Sequence, residues 1–465
     1  LVLPDDETSP LLRNRNSKLW KAWIEWRKNA IAQWRIDFSK AAHKINPSFC
    51  NIQYYSEGGF ILDGASYEQG GDLALSAKSM DFLGTEIMSR DVWDDYRYTF
   101  SSRHMYNSLH ETYHTPIFGL VYPSDRFDYA LIGWAMNNMI AQVTWTFFDF
   151  KGSEKMNAYT GWKENMNNVS AKPFADIAIV FSRKTRDWSL KNKSTYPSEI
   201  MGTSQFLIDQ HIQHTFVLDD ALLNQDLSRF RVLLAPGIDC LSDEQVAKLK
   251  QYVSNGGTLF ITGDAGKLTS YGEPRPAWAF ADILGNDALT RAQNTDAVEA
   301  NFGKGRVVYC AKRYGMNDFC NSFTVGRTYK FIPDEKLTAL HEKVLRQVLG
   351  NTLSFEAVSM PQKVLVSVYN ELRDGKKITM VHLLNATGVK VKNGDVLPLP
   401  NPTWEEIKDD MSFEISLPSL SESYYATPDS PGHKTVRIEK ISEGRFKIIV
   451  PKGTVDKYGI VYLIQ

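Results

Sequence analysis

Four repeats of a helix followed by a short apolar strand fill the first 165 or so residues, and this alternation limits the possible folds most strongly. Apolar side chains recur every three or four residues over 19–45, which predicts an amphipathic helix that ends at Asn46-Pro47. The same reasoning predicts helices at about 66–79, 101–112 and 127–139, and strands at 49–55, 82–86, 117–122 and 140–148. Alternation of this kind, with short polar joints, indicates parallel β/α units.

Four β/α units are half of what a (β/α)8 barrel needs, because every strand of a closed barrel has two neighbours. We interpret residues 1–170 as the C-terminal half of such a barrel. We expect the missing barrel half to come from an upstream segment or from a second segment. Part of the catalytic machinery would then lie in that other half.

Two further blocks follow. Short apolar strands at 177–181, 215–218, 232–235 and 259–262, with a helix at 243–254 that Gly256-Gly257 terminates, indicate an open doubly wound α/β sheet. Beyond about residue 355, strands at 364–369, 377–384, 412–417, 435–441, 445–450 and 460–464 predict a small antiparallel β-sandwich. The predicted chain is an α/β multidomain protein with domains at 1–170, 171–353 and 354–465, and Lys172-Pro173 is the first junction.

The net charge of −1 over 465 residues argues against nucleic acid and anionic lipid as partners. No apolar stretch approaches the roughly 20 residues of a membrane span. We expect a soluble protein; its compartment, bacterial periplasm or cytoplasm, is left open. The four cysteines, Cys50, Cys240, Cys310 and Cys320, lack the spacing of a zinc site or a disulfide framework. We predict that they are thiols.

The second block contains the most specific motif. It runs from Arg231 through Val-Leu-Leu-Ala-Pro-Gly-Ile-Asp-Cys, and continues from Tyr252 through Val-Ser-Asn-Gly-Gly-Thr-Leu-Phe-Ile-Thr-Gly263. With the block order and Val381-His-Leu-Leu-Asn385, it resembles multidomain glycoside hydrolases related to family 42 β-galactosidases and family 151-type α-L-fucosidases. The resemblance implies that the second block is a trimerisation domain related to class I glutamine amidotransferases, so we expect a homo-oligomer, a trimer by analogy.

Amide hydrolysis in the second block is a further hypothesis. It needs a nucleophilic Cys on a tight turn between a strand and a helix. The turn after the strand at 259–262 holds Gly263-Asp264, whereas Cys240 follows a different strand. A structural role of this block, in which it presents a surface to a symmetry mate, is therefore favoured.

Glycoside hydrolysis normally needs two carboxyl groups across the scissile bond. Counted back from the domain junction, the four strands are the fifth to eighth of the barrel. The family 42 resemblance implies a nucleophilic Glu after the seventh, but no acid follows there before Asp125. The fucosidase resemblance implies a nucleophilic Asp upstream of Leu1 and leaves Glu86 as the acid/base. An apolar wall at a strand end would also raise the pKa of Glu86 towards that of a proton donor.

Several alternatives stay open for these residues. Glu86 is equally compatible with an ion pair to Arg90 or Arg103, and Glu57, beside two glycines, is either a reserve catalytic acid or a solvated loop residue. Side chains near the strand ends are predicted to contact a sugar, and the alternative for each is ordinary packing or a polar contact within the protein. These residues are Tyr55, Asp63, Trp93, His104, Trp145 and Asp149. We expect no metal and no cofactor.

The sequence therefore predicts an exo-acting, retaining glycosidase of α-L-fucosidase type that acts on a carbohydrate substrate. A β-galactosidase-like specificity is the near alternative. A third reading is a non-catalytic carbohydrate-binding or assembly protein that keeps the architecture.

Overall fold

The computed structural model describes residues 17–56, 58–61, 70–86, 96–121, 127–146, 153–162, 170–189, 195–319, 333–350, 353–389 and 402–465. For 54–56, 58–59, 86 and 145–146 it describes the backbone only. Within these ranges no helix is both long enough and apolar enough to cross a membrane.

The first block forms a four-stranded parallel sheet in which the strands follow chain order. Such a sheet, with a helix between successive strands, is the arrangement of half a (β/α)8 barrel, which confirms the predicted fold class. Within the described ranges the sheet is open, and β1 and β4 are its edges. The elements are α1 Lys18–Ile45, β1 Ile52–Ser56, α2 Gly58–Ile61, α3 Leu73–Ala77, β2 Phe82–Glu86, α4 Tyr96–Tyr113, β3 Ile117–Val121, α5 Phe127–Met139, β4 Val143–Thr146 and α6 Ser153–Thr160.

Local turns explain where the predicted bounds of the first block were wrong. The first strand begins at Ile52 instead of residue 49, because the Asn46 carbonyl and side chain accept bonds from the amides of Phe49 (2.9 Å) and Ser48 (3.0 Å). The last strand begins at Val143 instead of residue 140, because Ala141 is a turn residue with φ 56°. Of the helix predicted at 66–79, the described part is α3 only, and the helix predicted at 101–112 already begins at residue 96.

The second block forms a six-stranded sheet in the order β10-β11-β9-β8-β6-β7. All neighbours are parallel except β10 and β11, so the predicted doubly wound sheet carries an antiparallel edge strand. Helix α10 starts with a reciprocal capping box between Ser242 and Gln245 and ends at Ser254, with Asn255 as its C-cap before Gly256-Gly257. The elements are β6 Ile177–Phe181, α7 Arg183–Trp188, α8 Tyr196–Asp209, β7 His214–Leu218, α9 Ala221–Asn224, β8 Val232–Pro236, α10 Asp243–Ser254, β9 Thr258–Thr262, α11 Ala281–Leu284, α12 Ala288–Arg291, β10 Val298–Phe302, β11 Gly305–Cys310, α13 Gly315–Asp318 and α14 Glu335–Leu349.

The third block is the predicted antiparallel sandwich. Its sheets have the orders β12-β15-β19-β18 and β17-β16-β20-β14-β13-β5. The predicted junction forms the last of these strands, since Lys172 and Pro173 pair with Asn370 and Tyr369. The elements are β5 Lys172–Pro173, β12 Phe355–Ser359, β13 Val364–Arg373, β14 Lys376–Asn385, β15 Met411–Ser416, β16 Glu422–Thr427, β17 Ser430–Lys434, β18 Arg437–Ser442, β19 Arg445–Val450 and β20 Tyr458–Ile464.

Shared hydrophobic cores join the three blocks. One core combines Phe60 and Leu83 of the first block with Phe181 and Leu218 of the second. Another joins the first block to the sandwich, where the rings of Trp134 and Tyr458 meet edge to face at 5.3 Å. The boundaries at 170 and 353 stay predictions, because buried side chains are continuous across both.

Candidate functional site

The carboxyl ends of the four parallel strands lie at one edge of the first sheet. The register pairs Ser56 with Glu86 and Val121 with Thr146, so the last residues of neighbouring strands lie side by side. Active sites of (β/α)8 barrels lie at this edge, because the loops that follow the strands converge there. This edge is the candidate catalytic site.

The structure describes only part of what the sequence predicts there. Glu86 is the last residue of β2, Tyr55 is in β1 and Trp145 is in β4, and the backbone of each is described. The register places Tyr55 and Glu86 on adjacent strands, one pair apart. The remaining predicted residues around this edge lie outside the described residues; they are Glu57, Asp63, Trp93 and Asp149.

His104 lies on α4, at the contact between the first and second blocks. Its side chain is buried and its ring stacks on His214 at 5.5 Å, and the His214 ring is hydrogen-bonded to the Ser204 hydroxyl at 2.8 Å. Burial, and then His214, hold the pKa of His104 well below its ordinary value, whereas burial lowers that of His214 to about 4. These surroundings are those of a packed neutral imidazole, and the contact of His104 with a sugar hydroxyl stays a prediction.

A buried polar layer lies behind strands β3 and β4. The guanidinium of Arg103 donates to the side-chain oxygen of Asn137. The Asn137 amide in turn donates to the carbonyl of Gly119 (3.0 Å) and to the hydroxyl of Thr144 (3.0 Å). Two helices and two strands are thereby held in one arrangement, which keeps the strand ends rigid.

A buried ionic cluster connects the first block to the second. Arg183 follows β6, and its guanidinium donates to both carboxylate oxygens of Asp72 (2.7 and 2.8 Å), to Asp219 (3.1 Å) and to Asp220. Asp72 is the N-cap of α3 in the first block. Burial would raise the pKa of Asp72, but Arg183, followed by Lys28, holds it well below its ordinary value.

The same short helix, α7, also contacts the segment that follows β1. The Arg186 guanidinium donates to the carbonyl of Phe60 at 2.5 Å and pairs with Asp187 at 2.8 Å. Asp187 receives a second bond from Lys28 of α1, also at 2.5 Å. Phe60 lies three residues after Glu57, so α7 positions the chain next to one of the predicted acids.

The turn after β9 begins with a residue that carries no nucleophile. Gly263 follows this strand with φ +62°, and a Cβ atom there would lie 2.6 Å from Nε of Arg313. Arg313 pairs with Asp239 at 3.3 Å. A reactive side chain at position 263 would therefore have to displace the Arg313 side chain.

Polar groups near the carboxyl ends of β8 and β9 are hydrogen-bonded to each other. The amide of Gly237 donates to the Thr262 hydroxyl (3.0 Å), and that hydroxyl donates to Glu199 (3.0 Å), whose other oxygen accepts from the amide of Met316 (3.0 Å). Burial raises the pKa of Glu199 to about 7. Cys240 is fully buried, and burial raises the pKa of its thiol. These contacts disfavour amide hydrolysis in the second block.

Sequence reasoning missed the ionic cluster and the buried Glu199. One signal was available, because Arg183, Asp219 and Asp239 each follow an apolar strand of the second sheet within three residues. The partners from the first block, Asp72 and Lys28, carry no comparable mark. In the described part of the chain no group of three or more His, Cys, Asp or Glu side chains has metal-binding geometry.

Residues 175–275 match the β-galactosidase trimerisation domain. In addition, 91 residues of this chain are 29% identical to β-galactosidase GalA of Bacillus licheniformis. This match spans 19% of this chain and 13% of that protein. The sequence match therefore concerns a small part of the relative.

Solved structures extend the likeness to nearly the whole chain. A β-galactosidase from Bacillus circulans superposes with a TM-score of 0.62 at 12% identity, over 97% of this chain and 68% of the other. The α-L-fucosidase isoenzyme 2 of Paenibacillus thiaminolyticus gives a TM-score of 0.61 at 13% identity, over 93% and 70%. The fold is thus shared with these glycosidases, and the predicted resemblance to family 42 relatives and to a fucosidase is confirmed.

Proposed function

We propose that this chain is part of a glycoside hydrolase that acts on β-galactosides. The observation that carries the proposal is the match of residues 175–275 to the β-galactosidase trimerisation domain, within a fold that follows a solved β-galactosidase over 97% of the chain. Both sequence matches come from β-galactosidases, so the comparisons favour this substrate over the α-L-fucoside that the sequence predicted.

Glu86 is the proposed proton donor. It ends β2 at the carboxyl edge of the sheet, where a substrate would meet the strand ends. A carboxylic acid there would protonate the leaving oxygen as the glycosidic bond breaks, while a second carboxyl group stabilises or attacks the anomeric carbon. Glu57 is the alternative donor. The second carboxylate is proposed to come from the other barrel half. With a retaining mechanism, it is the nucleophile.

The sugar contacts proposed with Glu86 come from the loops and strand ends around it. Aromatic rings provide apolar faces for a sugar, and short acids accept bonds from its hydroxyls. The residues assigned to this role are Tyr55, Asp63, Trp93, Trp145 and Asp149, with His104 as the weakest member because of its burial.

Further β/α units are proposed to cover the open side of the first sheet. Helix α1 and the start of β1 carry an exposed apolar stripe, in which Trp26 is 59%, Trp34 66% and Ile45 87% exposed, and Ile52 at the β1 edge is 53% exposed. A soluble protein rarely leaves such a patch and a parallel edge strand uncovered. The missing barrel half would supply strands for both edges and a helix for this stripe.

An assembly of three copies is proposed from the match to the trimerisation domain. Light scattering of the purified protein should give three times the mass of one chain. A monomeric mass at micromolar concentration would contradict this part of the proposal.

The test of the reaction uses the protein with its complete barrel, because the second carboxylate is proposed to come from the other barrel half. It compares two nitrophenyl glycosides that differ in their sugar, and then lactose and nitrophenyl galactoside, which differ in their leaving group. We expect release of nitrophenol from 4-nitrophenyl β-D-galactoside, and slower release from the α-L-fucoside. Glu86→Gln should lower kcat/KM for lactose by about 10²–10⁴-fold, but less for the nitrophenyl galactoside, whose leaving group needs little protonation. Glu422→Gln, on the exposed start of β16, is the matched control and should leave both rates unchanged.

Three outcomes would change the reading. Equal losses on lactose and nitrophenyl galactoside would remove Glu86 from the role of proton donor. A larger loss on lactose than on nitrophenyl galactoside in Glu57→Gln would transfer the role to Glu57. Faster release from the fucoside would restore the fucosidase assignment. No release from either substrate would favour the non-catalytic alternative, which the absence of an acid between residues 112 and 124 supports.

A further inference from the structure

A cavity of about 440 Å³ lies at the carboxyl ends of β8 and β9, outside the candidate catalytic site. In open α/β sheets, ligands bind in crevices at this end of the strands. Asp239 follows β8, Asp264 follows β9, and the segment 274–278 also lines the cavity. The mechanism proposed above does not use any of these residues.

The polar side chains of this cavity form ion pairs of opposite charge. Asp264 pairs with Lys267 at 2.7 Å, and both side chains are partly exposed, at 24% and 37%. Arg275 pairs with Asp243 at 2.5 Å and also donates to the carbonyl of Leu241 at 2.6 Å. A charged ligand would have to break one of these pairs, whereas hydroxyl groups can add bonds to the exposed sides of Asp264 and Lys267.

Trp278 provides a fixed apolar surface in the same cavity. Its indole N–H donates to the carbonyl of Ala265 at 2.7 Å, and its ring packs against Tyr309 at 5.1 Å and Phe280 at 6.0 Å. The ring is nevertheless only partly buried and lines the cavity. The contacts behind the ring fix its orientation before any ligand arrives, which lowers the entropic cost of stacking a ligand on it.

Pro274 and Pro276 complete the wall beside Trp278. Proline restricts the backbone, so this wall is stiffer than an ordinary loop. The cavity therefore combines a rigid aromatic surface, balanced charge, and an exposed acceptor and donor. A ring with apolar C–H faces and hydroxyl groups at its edge is complementary to all three features.

We propose that this cavity binds one neutral monosaccharide ring, with Trp278 against its apolar face and the pair of Asp264 and Lys267 at its hydroxyls. The volume of about 440 Å³ lies within the range of small-molecule pockets, which begins near 300 Å³. The site is separate from the edge that holds Glu86, so it adds a second carbohydrate site to the proposed function.

The test is calorimetric titration of the 465-residue protein with D-galactose. A double variant, Asp264→Asn with Lys267→Met, keeps the size of both side chains and removes both charges. It should weaken this binding by about tenfold or more, because two charge-assisted hydrogen bonds are lost. Trp278→Phe should weaken it by a smaller factor, and Trp404→Phe in the sandwich is the control for a tryptophan elsewhere.

The same variants separate this inference from the proposed function. If the double variant loses galactose binding in the titration, and the same substitutions in the protein with its complete barrel keep kcat on nitrophenyl galactoside, the second site is supported. If galactose binding falls in Glu86→Gln instead and is unchanged in the double variant, the sugar binds only at the strand-end edge and the inference is overturned. Binding of L-glutamine, with no sugar bound, would also overturn it.

Discussion

Replacing Arg183 by methionine tests the ionic cluster between the first two blocks. Methionine keeps much of the length of the side chain but leaves the buried Asp72 and Asp219 without their main cation. Removing one partner of a buried ion pair costs about 3–5 kcal/mol, since the other charge stays buried and unpaired. At about 1.4 kcal/mol for each factor of ten, the unfolded fraction should rise by roughly two to four orders of magnitude.

The assay is urea denaturation at pH 7, followed by tryptophan fluorescence. Arg437→Met is the control, because its pair with Asp410 is exposed, at 61% and 42%, and such pairs contribute about 0–1 kcal/mol. Asp72 has a depressed pKa in the folded protein, so its stabilisation is present above its unfolded value, near 4, and is lost as the pH falls. The difference between wild type and Arg183→Met should therefore shrink in acid.

Two results would refute this reasoning. A loss of less than 1 kcal/mol for Arg183→Met, similar to that of the control, would mean that the cluster contributes little beyond packing. A difference that stays constant down to pH 3 would exclude the ionised Asp72 as its source. Arg183→Lys should recover only part of the loss, because an ammonium cannot bridge three carboxylates in the manner of a guanidinium.

Three further predictions concern other positions. The pKa of Glu199 is raised to about 7 in the folded protein, so wild-type stability should fall as the pH rises from about 4.5 through 7. Glu199→Gln should flatten this part of a plot of urea midpoint against pH. An unchanged slope would contradict the assignment. Gly202→Ala should lower the thermal midpoint, because the new Cβ atom would lie 1.8 Å from the carbonyl oxygen of Gly315. Overpacking of this kind costs about 1–3 kcal/mol or more. An unchanged midpoint would show that α13 moves away to make room. Trp34→Ser on the exposed stripe should change the unfolding free energy by less than about 1 kcal/mol and reduce self-association in sedimentation, whereas a large loss would mean that the stripe is already covered.

Local sequence signals predicted the elements whose ends are fixed by local chemistry. Helix α10 has the bounds 243–254 that the sequence predicted, because the Ser242 cap and the Gly256-Gly257 pair both act within a few residues. The first strand was misplaced because an Asn46 turn delays it, and no periodicity reports such a turn. For the bounds of these two elements, capping residues were therefore a more reliable guide than hydrophobic periodicity.

Contacts between distant parts of the chain were beyond the reach of these signals. The pairing of Pro173 with Tyr369 turns the predicted junction into a strand, and the choice of that partner depends on the assembled sandwich. Burial raises the pKa of Glu199 against the lowering effect of its hydrogen bonds from Met316 and Thr262, and both of these partners come from other elements. Of the predicted sites, Glu86 is placed at the expected strand end, and its role stays a prediction.

Helix α7 limits how this architecture can be recombined. Its two arginines are neutralised largely by side chains from the first and second blocks together, including Asp72, Asp187 and Asp219. A chimaera that exchanges residues 171–353 for the corresponding block of a relative would inherit one half of this charge arrangement from each parent. Such a graft should fold well only when the recipient also carries an acid at position 72 and a base at position 28.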